Sequence, residues 1–269
     1  MKRTASDEGA HGVTMEGSGR IPVLLVNGFG YEQSLWQPLC EQLGGDYRLI
    51  RFDHAGTGRA TREAAELERY TTLDAYADDL MTLLDTLAGE PVVVVGHSIG
   101  GIIAMLAACR RPERFRQLIM INASSRYLND APDYRGGFEP EDIHALLDMM
   151  EQNHFDWAGR MAADVIGVAA PEASETRLRE QFMATDVVVA RRFAEVVFFS
   201  DTRSRLPEVA VPAVVVQTGG DPVVPREGAE YLAAQLPNAR LEWLPVEGHY
   251  PQIRAPERLA EALRTWIAT

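Results

Sequence analysis

Gly96-His97-Ser98-Ile99-Gly100 sets one serine between two glycines, each two residues away. A sharp strand-to-helix turn has no room for side chains at those two flanking positions, and it lifts the hydroxyl between them clear of the sheet. A serine presented in this way is suited to attack a carbonyl carbon, with the N–H of Ile99 aimed at the oxyanion that forms. The motif lies between Pro91-Val-Val-Val-Val95 and the apolar stretch that begins at Ile99. That context, strand then helix, is what separates it from an ordinary turn with a serine cap.

A serine hydroxyl is weakly nucleophilic until a base takes its proton. Six histidines are available. His249 follows Leu241-Glu-Trp-Leu-Pro-Val-Glu-Gly248, a strand and a glycine-containing loop, which carries it to the C-terminal edge of a sheet beside Ser98. His97 adjoins the serine but points across the turn, so it reads as structural. His54, in a loop after a strand, is the weaker competitor, and His11, His144 and His154 fall in the tail and in a helical segment. An acid must then fix the tautomer of the base and stabilise its cation. Asp221 ends Val214-Val-Val-Gln-Thr-Gly-Gly-Asp221, just past another strand, and the chain order becomes serine, acid, histidine, as in the α/β-hydrolase fold. Asp53 and Asp130 are less well placed. Asn27-Gly28-Phe29-Gly30 follows the first strong strand, where a glycine-rich loop supplies a second oxyanion N–H, here that of Phe29. The same glycines are no dinucleotide fingerprint, since the third glycine and a suitably spaced acid are missing. No Walker-type lysine loop occurs.

The elements that must position these residues alternate. Ile21 to Val26, Tyr47 to Phe52, Pro91 to Gly96, Phe115 to Ile121, Val211 to Gln217 and Leu241 to Leu244 are short apolar runs, the pattern of strands buried on both faces. Between them lie a short helix that Ser34 can cap, an amphipathic helix from Thr72 ended by Gly89, and helices over Ile99 to Arg111 and Arg226 to Leu236. A last helix follows Pro256. This alternation predicts a doubly wound, mostly parallel sheet. From about Ser124 to Ser200 the strand signal gives way to amphipathic stretches, read as an inserted helical lid. The expected division is a flexible tail over residues 1–16, a core over 17–124 and 201–269, and a lid over 125–200.

A net charge of −13 opposes binding to nucleic acid or to an anionic membrane surface, because both need clustered cations. The apolar runs are strand-length, far short of the roughly 20 residues that span a bilayer. The N-terminal stretch lacks the apolar segment and cleavage site of a secretory signal. Cys40 and Cys109 have no partner at metal-ligand spacing, so neither a metal nor a disulfide framework is expected, and a reducing cytoplasm suits them. No cofactor is called for. The lid's aromatic residues, Tyr127, Phe138, Trp157, Phe182, Phe193, Phe198 and Phe199, are numerous enough to line an apolar pocket.

Longer strings narrow the reading. At Asn27-Gly-Phe-Gly-Tyr-Glu-Gln-Ser-Leu-Trp36, Gly96-His-Ser-Ile-Gly100, Tyr127-Leu-Asn-Asp130, Gly136-Gly-Phe-Glu139 and Phe198-Phe-Ser-Asp201 the chain resembles the RsbQ-like bacterial hydrolases and their plant relatives, the karrikin and strigolactone receptors. The resemblance implies an α/β-hydrolase fold, a triad of Ser98, His249 and Asp221, an oxyanion hole at Phe29 and Ile99, and a V-shaped lid of four helices. It maps the family pocket onto Phe29, Tyr127, Phe138, Leu146, Trp157, Met161, Phe198 and Val223. Asn27 stands where the family usually has histidine, and Ile99 where members carry valine, histidine or other residues.

Two functions are then expected in competition. One is hydrolysis of a small apolar ester or lactone by a monomer that needs only water. The other, which the resemblance implies, is ligand sensing with slow cleavage and a regulatory protein partner engaged through the lid. A carbon–carbon hydrolase or cofactor-free perhydrolase shares the same triad.

Overall fold

The computed structural model describes residues 11–60, 67–87 and 90–268. Strands β1 (Thr14–Glu16), β2 (Ile21–Val26), β3 (Tyr47–Arg51), β4 (Val92–His97), β5 (Phe115–Ile121), β6 (Ala213–Gly219) and β7 (Ala239–Glu247) form one sheet in the order β1-β3-β2-β4-β5-β6-β7. All neighbouring pairs are parallel except β1 with β3. The valines of β4 and β6 are almost fully buried. Helices cover both faces of such a sheet, so each central valine contributes about 1.5–3 kcal/mol by burial.

The core helices are α1 (Gln37–Leu43), α2 (Leu73–Thr86) and α3 (Ile99–Arg110). Four more, α4 (Pro140–Gln152), α5 (His154–Ile166), α6 (Glu172–Ala184) and α7 (Val187–Phe198), all lie between β5 and β6. The chain closes with α8 (Arg226–Gln235), α9 (Pro251–Arg254) and α10 (Pro256–Ala268). Among the described residues no helix is long and apolar enough to cross a membrane. Gly89, expected to end α2, lies outside the described residues, as do residues 1–10.

Two local expectations need correction. The tail was expected to run to residue 16, yet Thr14 to Glu16 pair with β3, with Met15 opposite Ile50. The reason is local charge: Arg51 of β3 is nearly buried and takes Glu16 as its ion-pair partner at 2.8 Å. His11 is likewise no tail residue, because its carbonyl accepts the N–H of Asp53 and its ring meets the edge of Phe52. Ser34 does not cap α1. Its hydroxyl turns to the Glu32 carboxylate, and a short 3-10 turn, Gln33–Trp36, leads into α1, which has proline in its first turn.

Topology decides where chemistry can occur. The chain winds outward in one direction from β2 and in the other from β4, and these two strands are neighbours, with Val26 opposite Gly96. The crevice at such a reversal, beyond the C-terminal ends of the strands, is where open α/β sheets bind ligands. Phe29 and Ser98 stand just past those two ends.

Candidate active site

Ser98 joins β4 to α3 at φ 54° and ψ −128°, a conformation rare for any side chain but glycine. The turn survives because both flanking residues lack a Cβ. One on Gly96 would lie 2.5 Å from the backbone of Gly101, and one on Gly100 would lie 2.3 Å from the carbonyl oxygen of Asn27. The Ser98 N–H donates to Ile121 at 2.8 Å, which ties the turn to the end of β5. Ile99 is the first residue of α3, so its N–H has no acceptor within the helix and is free to face an anion.

Asp221 lies beyond β6 and His249 beyond β7, and the pairing of these strands brings the two side chains together. His249 Nδ1 is 2.8 Å from Asp221 Oδ2, and both side chains are shielded from solvent. The carboxylate also accepts the N–H groups of Val223 and Val224, at 2.8 and 3.2 Å, and the Gln217 amide at 3.3 Å. With Nδ1–H committed to Asp221, Nε2 is the ring atom left to accept a proton.

The backbone of His249 is held just as firmly. Its carbonyl accepts the Asn122 amide at 3.0 Å and the ring of His97 at 2.7 Å, while its N–H donates to Val165 of α5 at 2.8 Å. The contact of His97 with a carbonyl fixes its tautomer. Nε2 carries the proton, so Nδ1 accepts the Tyr31 hydroxyl at 2.9 Å. Burial pushes the His97 ring well below the usual imidazole range and keeps it neutral. His97 is thus structural, as its place in the turn implies, and what it positions is the loop that bears His249.

The link between base and serine is not a hydrogen bond in this structure. Among the described residues the Ser98 hydroxyl has one hydrogen-bond partner, Tyr127, at 3.3 Å between the two oxygens. The His249 ring adjoins the ring of His97, with centroids 4.8 Å apart, which sets it beside the serine turn. The hydrogen bond expected between nucleophile and base is thus not made here, and the partner of the serine oxygen is a phenol.

The alternatives lie elsewhere. His54 is buried against Phe52, Tyr76 and Phe193, shares a hydrogen bond with the Asn27 carbonyl, and is lowered to about 4 by burial. Asp53 accepts the N–H groups of Gln33 and Arg59 and the Gln33 amide. Asp130 pairs with Arg203 at the surface. His144 lies against Phe199, and His154 stacks on Trp157.

Of the eight residues mapped to a pocket, five form a connected set of rings. Phe29 touches Trp157 and Phe198, and Phe198 in turn touches Tyr127 and Phe138. Phe193, absent from the mapped set, joins the same group through Phe29. Leu146, Met161 and Val223 are partly buried against the hydrophobic core, and the ring cluster is built without them. A separate surface cleft of about 640 Å³, lined by residues such as Leu73, Arg192, Phe199 and Thr202, contains none of the eight. Asn27 faces away from this chemistry, since its amide is spent on the Trp36 indole at 2.8 Å and the Phe52 carbonyl at 3.0 Å.

Comparison with known proteins assigns the chain to a family. Residues 23–262 match the alpha/beta hydrolase family. The chain belongs to that family. It is 38% identical over 256 residues to the strigolactone esterase RMS3 of Pisum sativum, covering 94% of this chain and 95% of the relative. A putative carbamate hydrolase from Caulobacter vibrioides is 29% identical over 260 residues. Among solved structures, a hydrolase from Oleispira antarctica superposes with a TM-score of 0.93 at 32% identity, covering 98% of this chain and 97% of the other. The resemblance carried by the lid strings thus holds at the level of the family.

Asn122, Thr218, Tyr31 and Tyr250 support this hydrolase site, and motif reasoning did not single them out. Asn122 was detectable in principle, as a polar residue directly after the apolar run of β5. At φ 50° it donates to the Thr218 hydroxyl and to the carbonyls of Gly248 and His249.

Proposed function

We propose that this hydrolase cleaves a small apolar ester or lactone through an acyl-enzyme on Ser98. The observation that carries the reading is the shielded hydrogen bond of His249 to Asp221, beyond the ends of β6 and β7 at the sheet edge that also bears the serine turn. On binding, Ser98 rotates toward His249, passes its proton to Nε2 and attacks the carbonyl carbon. The N–H groups of Phe29 and Ile99 receive the oxyanion. His249 returns the proton to the leaving oxygen, and water, activated by the same ring, releases the acid. The ring cluster of Phe29, Tyr127, Phe138, Trp157 and Phe198, with Leu146, Met161 and Val223, bounds the ligand, and the four inserted helices act as its lid. A monomer suffices for this chemistry. Turnover of 4-nitrophenyl acetate by the wild type and its loss in Ser98→Ala, with an acyl adduct on Ser98 seen by mass spectrometry, is the test. Full activity in Ser98→Ala ends the proposal.

A second reading is ligand sensing, in which slow cleavage is coupled to a protein partner at the lid. It is favoured by the contact of Ser98 with Tyr127, in place of a hydrogen bond to His249, and by the exposed Phe155 and Val188 on the inserted helices. The names of similar proteins agree, since Karrikin insensitive 2 receptor CA of Petunia hybrida is 38% identical over 256 residues. Slow turnover together with ligand-dependent capture of a partner distinguishes it from a metabolic esterase.

A further inference from the structure

Tyr127 is nearly buried, and among the described residues its hydroxyl has one hydrogen-bond partner, Ser98 Oγ. The residue is held on both sides. Its carbonyl accepts the Phe138 N–H at 3.2 Å, and its ring packs against Phe198 at 5.4 Å between centroids. Burial raises the phenol above its ordinary range, so it stays protonated and is a hydrogen-bond donor throughout the neutral pH range.

A buried hydroxyl that loses its only partner is unfavourable. The proposed reaction weakens that contact, because Ser98 Oγ becomes bonded to the carbonyl carbon and is then a poorer acceptor than a free hydroxyl. An oxygen of the substrate next to the reacting carbon is then the natural replacement. We propose that Tyr127 is a catalytic residue, resting on the nucleophile in the free enzyme and donating its O–H to the leaving oxygen of an ester or lactone as Ser98 turns to His249. This deepens the acyl-enzyme reading and rests on it.

The electrons balance without a proton from Tyr127. As the bond from Ser98 Oγ to the carbonyl carbon forms, the carbonyl pair moves onto oxygen and the serine proton moves to His249. As the bond to the leaving oxygen breaks, the carbonyl reforms and that oxygen takes the proton from His249. Tyr127 keeps its proton and stabilises the charge that builds on the leaving oxygen. The contribution grows with the basicity of the leaving group, since a nitrophenolate needs little help and an alkoxide needs much.

The test is kcat/KM, which reports the acylation step, for a series of acetate esters from 4-nitrophenyl through phenyl to ethyl, in the wild type and in Tyr127→Phe. This variant keeps the ring and its packing on Phe198. A steeper fall in log kcat/KM with leaving-group basicity is expected in the variant. The loss with ethyl acetate should exceed the loss with nitrophenyl acetate by roughly 10- to 100-fold, the range of one hydrogen bond to a developing charge. Labelling of Ser98 by a fluorophosphonate, whose fluoride leaves unaided, should follow the nitrophenyl ester and not the ethyl ester. Equal losses across the series would mark a packing role and overturn the proposal, as would an unchanged slope. If the wild type itself turns over none of the esters and Ser98 takes no label, it is the acyl-enzyme reading that fails, which the same experiment separates.

Discussion

His249 Nδ1 and Asp221 Oδ2, 28 residues apart in sequence, meet at 2.8 Å because β6 and β7 pair in parallel and both side chains leave the same edge of the sheet. Replacing Asp221 with asparagine keeps the shape but turns an acceptor into a group able to impose the wrong tautomer. Ester turnover is expected to fall by about 10⁴-fold, as for the equivalent change in the serine protease template, with little change in thermal midpoint. Steady-state kinetics beside a melting curve check both parts.

The serine turn tolerates no added carbon. In Gly100→Ala the new Cβ would meet backbone oxygens of Asn27 and Val26 at 2.3 and 2.6 Å, and neither can move without opening the pairing of β2 with β4. A loss of about 3 kcal/mol or more is expected in urea unfolding. A variant as stable as the wild type would show that the turn is looser than described.

Stability should fall in acid through His54. Its ring sits at about 4 when folded, against an ordinary value of 6.5, so the unfolded chain binds the proton first. The folded state therefore loses stability as pH drops from about 6.5 toward 4, by about 3 kcal/mol from this group alone, and that loss is absent above about pH 7. His97, shifted in the same direction, adds to it. Urea unfolding free energy measured across this range should show a shallower slope in His54→Asn.

Asn27 should matter for folding more than for chemistry. Asn27→Ala leaves the Trp36 indole N–H and the Phe52 carbonyl without their partner, at about 1–3 kcal/mol for each buried group left unpaired. Denaturation should register this cost, while kcat for 4-nitrophenyl acetate stays within a few-fold of wild type.

The strands, and the placement of the candidate residues at their ends, are legible because their signals are local. An unbroken run of β-branched residues such as Val92 to Val95, too short for a helix, reads as a strand buried on both faces, and each candidate residue directly follows such a run or the loop after it. The contacts that tune the site were not legible in this way. His97 bonds Tyr31 and His249, 66 and 152 residues away, and no spacing rule links them. The meeting of Ser98 with Tyr127 depends on a rotamer and on the path of the chain after β5, neither of which hydrophobic periodicity records. β1 leaves no mark in the sequence because it has only three residues, too few for an alternation to register, and its partner Arg51 lies far along the chain.

The hydrogen bond from the His249 N–H to Val165 makes the proposed base a mechanical neighbour of the inserted helices. Gly248 lets the two segments touch, since a Cβ there would lie 2.2 Å from the carbonyl oxygen of Ile166, and Arg254 grips the same bend through the carbonyls of Ile166 and Val168. In the proposed mechanism, ligand choice and proton transfer are therefore inherited together in this chain. A chimera that grafts a relative's helices onto this sheet would have to bring its own anchor for the imidazole.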